Sequence, residues 1–208
     1  RCFDDRPYAA VTMIPHPNKR IGREMAQVNA DLCASCGICV GACPSSTPFR
    51  SVAELVTGID MPSAPISALR HQLQQALAAS RAEHPIVVFG CECGARVDTL
   101  AAPDVAPFSL MCTGALPPSF VEYALRDGAA AVLVAGCRES GCEFRLGQRW
   151  SAERLAGERE PHLRASVPRE RVATAWGDAG DEAALHTALA QLRERLRGAA
   201  PLEQPAHG

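Results

Sequence analysis

From residue 84 onward, continuous apolar runs alternate with stretches whose apolar residues recur at helical spacing. Residues 86–90 read Ile-Val-Val-Phe-Gly, a run with no polar alternation, which predicts a strand buried on both faces. Further strands are expected at 107–111, 130–135 and, more weakly, 171–175. Between them, Phe120, Val121, Ala124 and Leu125 share one face of a helix over 118–126 that Gly128 stops. A charged helix is expected over about 143–156, and Leu185, Leu189, Leu192 and Leu196 mark a final one. Strand–helix alternation of this kind predicts a parallel, three-layer α/β sheet.

Upstream the pattern differs. Leu69, Leu73 and Leu77 recur every four residues in an amphipathic helix over about 66–80, preceded by a linker at 58–65 that contains Pro62 and Pro65. Residues 1–57 read as short loops and strands, with 11–14 and 26–28 as a strand pair. The expected organisation is thus a small ferredoxin-like domain at 1–57, a linker and helix at 58–83, a flavodoxin-like α/β domain at 84–198, and a disordered tail at 199–208.

Composition narrows the function. With 208 residues the chain can hold one or two small domains, and 47% hydrophobic content supports a core. A net charge of −2 argues against a nucleic-acid or membrane-surface binder, and no apolar run approaches the ~18–20 residues of a membrane span. Arginine supplies nearly all the positive charge, Lys19 being the one lysine. Ten cysteines exceed ordinary core use. A secreted disulfide framework would account for them, but no signal peptide is visible and spacings of one or two residues suit metals better than bridges. The expected compartment is the reducing cytoplasm, with membrane association only through partners or an upstream segment.

Cys33, Cys36, Cys39 and Cys43 stand as C-x2-C-x2-C-x3-C followed by Pro44. Three thiolates at two-residue gaps wrap one cubane, and the fourth cysteine of such a run usually serves a neighbouring cluster. Structural zinc sites prefer two separated C-x2-C pairs, so the motif points to a [4Fe–4S] cluster. The first residues, Arg1 and Cys2-Phe-Asp-Asp-Arg6-Pro7, resemble the end of a second such motif, with Cys2 as its third cysteine. Arg6 then stands where the fourth, cross-ligating cysteine belongs. On this reading the chain starts inside a truncated repeat, and the cluster of Cys33, Cys36, Cys39 and Cys43 either takes its fourth ligand from Cys43 or Cys2, is a three-iron form, or is lost in the fragment.

Five cysteines remain: Cys91, Cys93, Cys112, Cys137 and Cys142. They sit just past the carboxyl ends of three predicted strands, which a parallel sheet gathers along one edge, where open α/β folds build sites. Gly90, Gly94, Gly114, Gly136 and Gly141 flank them and let backbone amides approach sulfur. A zinc-stabilised interaction domain matches the count, and a thiol–disulfide oxidoreductase could use Cys91 and Cys93. Neither explains the ferredoxin motif upstream, so a second cluster is the expectation.

Met111-Cys-Thr-Gly114, Pro118-Ser-Phe-Val-Glu122, the run from Gly128 to Gly136, Ala135-Gly-Cys-Arg-Glu-Ser-Gly-Cys142 and Arg149-Trp-Ser-Ala-Glu-Arg154 together resemble the delta, or iron–sulfur, subunit of methyl-viologen-reducing hydrogenases, over residues 84–198. The resemblance implies a flavodoxin-like sheet that carries a [2Fe–2S] cluster on Cys91, Cys112, Cys137 and Cys142. It also implies passage of electrons between a hydrogenase or dehydrogenase and a heterodisulfide-reductase-like flavoprotein, without a substrate of its own. Two departures stand out. Cys91-Glu-Cys93 is one residue shorter than the expected C-x2-C, which leaves Cys93 as a further candidate ligand, and Glu143 occupies an expected histidine position.

The six histidines share no ligand spacing with a cysteine, and Gly90-Cys-Glu-Cys-Gly94 lacks dinucleotide-loop spacing. The arginines between Arg138 and Arg159 read as a solvated helix face.

Overall fold

The architecture is taken from a computed structural model, in which residues 3–20, 22–44 and 58–198 are described. Cys2 and residues 45–57 of the ferredoxin-like domain expected at 1–57, and the tail expected to be disordered at 199–208, lie outside these residues. The amino-terminal unit holds a hairpin of β1 (Val11–Pro15) and β2 (Glu24–Val28), antiparallel with Met13 opposite Ala26. The cysteine run follows and carries a one-turn helix, α1 (Ile38–Gly41), where the sequence predicted only loop. Its entry residue, Gly37, has φ 72°, a left-handed turn that glycine adopts without strain. Helix α2 (Ile66–Ala79) begins at Pro65, and the carboxylate of Asp60 accepts hydrogen bonds from the amides of Met61 and Ile66.

The larger unit is a four-stranded parallel sheet of β3 (Ile86–Cys91), β4 (Val105–Leu110), β5 (Ala131–Gly136) and β6 (Val172–Trp176), in the order β4-β3-β5-β6. Strands β3 and β5 are buried along their whole length, as their unbroken apolar runs require. Helices α3 (Ser119–Arg126) and α4 (Gly147–Ala156) follow in the chain, and α5 (Glu182–Gly198) closes it. One sheet face packs Val87, Phe89, Val132 and Val134 against Leu73, Phe120 and Val121. The other packs Val88, Leu133 and Ala175 against Leu185, Leu189, Leu192 and Leu196, the stripe seen in the sequence. Two apolar layers on a parallel sheet make the three-layer α/β fold anticipated. Among the described residues no helix is long and apolar enough to cross a membrane.

One boundary moved by more than a residue or two. The helix expected from residue 143 starts at Gly147, because residues 143–146 form a turn in which Arg145 takes φ 61°. The charged sequence there is helix-compatible, but the thiol of Cys142 accepts the amide of Gln148, which holds the chain back on itself.

Candidate metal centre

The sheet order places the cysteines. The chain leaves β3 to form β4 on one side and later returns to form β5 on the other. The crevice beyond the carboxyl ends of these strands is therefore a topological switch point. Cys91 is the last residue of β3, Cys112 follows β4 by two residues, and Cys137 follows β5 directly. Cys142 arrives from the 3₁₀ turn over Glu139–Gly141.

The four thiols lie close enough to perturb one another's titration, Cys91 chiefly with Cys112 and Cys137 chiefly with Cys142. The dominant interaction of Cys91 is a thiol hydrogen bond with Cys112, and that of Cys137 is one with Cys142. A further thiol contact between Cys91 and Cys137 joins the pairs. Hydrogen bonds from Cys112 and Cys137 hold Cys91 well below the usual thiol range, and Cys137 likewise lowers Cys142, to about 6. Cys112 and Cys137 are correspondingly raised, since they keep the protons they donate and are buried. Thiolate is the metal-binding form, and these interactions favour it at Cys91 and Cys142. Backbone amides supply further donors: Gly114 N–H lies 3.4 Å from Cys112 Sγ, and Gln148 N–H 3.5 Å from Cys142 Sγ.

Gly147 shows how tightly the loop is drawn in. A β-carbon at this position would stand 2.3 Å from Cys112 Sγ, so no side chain fits there without moving the sulfur. Cys93 sits on the outer flank. It touches Cys91 and lies 3.9 Å from the carbonyl of Met111, and burial together with the neighbouring Cys91 charge pushes it up to about 11. Glu143 adds negative charge beside Cys93. Among the described residues, no group of three or more His, Cys, Asp or Glu side chains is disposed to hold a single metal ion.

The amino-terminal cysteines form a second locus. Cys33, Cys36 and Cys39 line one cavity of about 460 Å³ together with Arg6 and Tyr8. Cys43 is 3% exposed and is not part of that lining. Burial raises the Cys36 thiol, and the charges of Cys33 and Cys142 raise it further.

That influence of Cys142 on Cys36 reflects direct packing of the two units. Cys36 and Ile38 share a buried apolar cluster with Cys112 and Trp150. Helix α1 lies against the turn after Cys112 so closely that a β-carbon on Gly41 would stand 2.1 Å from the Gly114 carbonyl. Arg154 clamps this contact. It is 1% exposed and donates to the Gly114 carbonyl at 2.9 Å and to Asp5 at 2.6 Å. Asp5 also accepts from Arg159, which in turn bonds Glu153 and lies 4.6 Å from the Trp150 ring centroid.

Arg154 overturns the expectation of a wholly solvated arginine face on α4. The signal lay in the sequence: Trp150, Ser151, Arg154 and Leu155 fall on one buried helical face. An arginine in that stripe implied a buried carboxylate partner, although Asp5 is too remote in sequence to be picked out.

Residues 86–199 match the family described as methyl-viologen-reducing hydrogenase, delta subunit. Residues 26–47 match a 4Fe-4S binding domain. A curated relative, the vhc iron-sulfur subunit of the F420-non-reducing hydrogenase of Methanococcus voltae, is 23% identical over 99 residues, which cover 48% of this chain and 69% of the relative. The first match spans more than half of the chain, and the chain belongs to the methyl-viologen-reducing hydrogenase delta-subunit family. It is an iron–sulfur electron-transfer subunit with a 4Fe-4S binding region ahead of its α/β domain.

Proposed function

We propose that this chain relays electrons between a hydrogenase or dehydrogenase and a heterodisulfide-reductase-like flavoprotein, through a [4Fe–4S] cluster in the amino-terminal unit and a [2Fe–2S] cluster at the sheet edge. The observation that carries the reading is the gathering of Cys91, Cys112 and Cys137 at the carboxyl ends of three adjacent parallel strands, with Cys142 brought in by the turn after β5. Two thiolates per metal is what an all-cysteine two-iron cluster requires. Four thiols from neighbouring strand ends supply that number, and the 4Fe-4S binding region ahead of them favours a cluster over a zinc-stabilised interaction domain, whose ligands surround one ion.

Bound clusters would supply one-electron chemistry. The residues do the rest. Cys91, Cys112, Cys137 and Cys142 offer the sheet-edge ligand set, and the amides of Gly114 and Gln148 stabilise negative charge on sulfur, which raises the potential of whatever the sulfurs hold. Cys33, Cys36 and Cys39 offer the second set. Ile38 and Trp150 fill the space between the two sets and exclude water from it. Cys93, with its raised pKa, stays protonated at neutral pH and is not needed for four-thiolate ligation.

The test is anaerobic reconstitution followed by iron and sulfide analysis and low-temperature EPR of the full chain. Two reducible signals are expected. Cys112→Ser should remove one, and Cys36→Ser the other. A colourless protein that binds zinc and no sulfide would refute the reading. Turnover of a small disulfide that depends on Cys91 and Cys93 would favour a thiol–disulfide oxidoreductase.

A further inference from the structure

Arg6 lines the same cavity as Cys33, Cys36 and Cys39, at the position where a cross-ligating cysteine belongs. A guanidinium has five N–H donors, no lone pair to offer, and a permanent positive charge, so it cannot ligate iron. Among the described residues, the two carboxylates lining the cavity are already engaged. Asp5 accepts from Arg154 and Arg159, and Asp60 accepts the amides of Met61 and Ile66. Among the described residues, the hydroxyls that line it, on Tyr8, Ser35 and Ser63, are neutral and are weaker ligands than thiolate. Cys43 is buried and is not among the described residues that line the cavity.

Arg6 is also incompletely satisfied. Its guanidinium stacks over the Phe3 ring at 3.8 Å, and its Nε is buried without a hydrogen-bond partner. A buried unpaired donor on a cation favours an anion within its reach.

We propose that this cavity is a three-cysteine cluster site whose fourth corner faces Arg6 and takes a small exogenous anion in place of a protein ligand. The inference rests on the reading that Cys33, Cys36 and Cys39 hold a [4Fe–4S] cluster. It makes the fourth iron labile. One-electron oxidation then follows [4Fe–4S]²⁺ → [3Fe–4S]⁺ + Fe²⁺ + e⁻, the electron passing to the added oxidant and the iron leaving through the open corner.

The experiment treats the reconstituted full chain with ferricyanide and reads iron per chain together with the EPR signal of the three-iron product. The [2Fe–2S] and [4Fe–4S] clusters are EPR-silent when oxidised, so that signal reports this cavity alone. The wild-type chain is expected to lose one iron and develop the signal, and to regain the iron on reduction with added Fe²⁺. Arg6→Cys, which supplies the missing thiolate, should keep all its iron and stay silent. Cyanide should change the EPR spectrum of the reduced wild-type chain, and Arg6→Ala should need roughly ten- to a hundredfold more of it, the worth of one charge-assisted hydrogen bond. A wild-type chain that resists ferricyanide as well as Arg6→Cys does would overturn the proposal. If Cys2→Ser then became labile, Cys2 would be the fourth ligand. A chain with no iron in this cavity at all would refute the reading beneath the proposal instead.

Discussion

Replacing Asp5 with asparagine should be among the most damaging single changes far from any cysteine. Asp5 is 3% exposed and faces Arg154, which is 1% exposed, at 2.6 Å. Arg154 has two acceptors, Asp5 and the Gly114 carbonyl, and its Nε is buried without a partner. Desolvation pulls the pKa of its guanidinium down, and Asp5 pushes it back up. Asp5→Asn leaves the shape of the site nearly intact but strands a buried cation beside a neutral amide. Breaking a buried pair from one side costs about 3–5 kcal/mol, and the retained amide oxygen argues for the lower half of that range. Arg154→Leu should cost less, about 1–3 kcal/mol, because Asp5 keeps its 2.7 Å bond to Arg159, which is 30% exposed and still reaches solvent. The double variant buries no unpaired charge, so its cost should fall below the sum of the two single costs by more than about 1 kcal/mol. The assay is urea unfolding of the reduced, iron-free full chain under anaerobic conditions. Trp150, which lies beneath Arg159, serves as the fluorescent reporter. A cost under about 1 kcal/mol for Asp5→Asn, or a double variant whose cost equals the sum, would refute the claim that this pair clamps the two units together.

Other outcomes follow from the same geometry. Gly147→Ala should abolish iron binding at the sheet edge while sparing the amino-terminal site, because its β-carbon would meet Cys112 Sγ at 2.3 Å; iron analysis and EPR on the Cys36→Ser background check this. Cys93→Ser should leave the sheet-edge signal in place, whereas Cys137→Ser should remove it. Acid stability should depend modestly on Asp104, whose pKa is lowered from 3.8 by hydrogen bonds from Arg193. The pair's contribution is fully present above about pH 4 and is lost as the pH falls through the lowered folded value. Asp104→Asn should therefore cost about 0.2–1 kcal/mol at pH 7 and nothing at the acid end of a urea-midpoint series, since both partners are about a third exposed.

The sheet was legible because its strands are buried on both faces. Residues 86–90 and 130–135 leave no polar position to suggest alternation, and the leucine stripe from Leu185 to Leu196 needs an apolar surface to lie on. Convergence of Cys91, Cys112 and Cys137 then followed from strand direction alone. Two things were not legible. The turn at 143–146 looks helical by composition and is set instead by amide–sulfur bonds to Cys142, which no local pattern encodes. The clamp of Arg154 on Asp5 spans 149 residues, and helical spacing shows only one end of it.

The position of that clamp bears on function. Arg154 reaches the Gly114 carbonyl in the turn after Cys112, and Asp5 immediately precedes Arg6, which lines the cavity of Cys33, Cys36 and Cys39. One buried ion pair therefore fixes the distance between the two cysteine sets rather than merely adding stability. A hydrophobic pair of similar volume would serve stability as well or better. An arginine and a carboxylate also fix orientation, through two directed hydrogen bonds from one planar group. Electron transfer between two sites depends steeply on their separation, and the apolar packing of Ile38 against Trp150 alone could slide. On this argument Arg154→Leu should slow electron exchange between the two proposed clusters, in stopped-flow reduction, even at temperatures where the variant is fully folded. An unchanged rate would mean that the apolar cluster alone holds the two units in register.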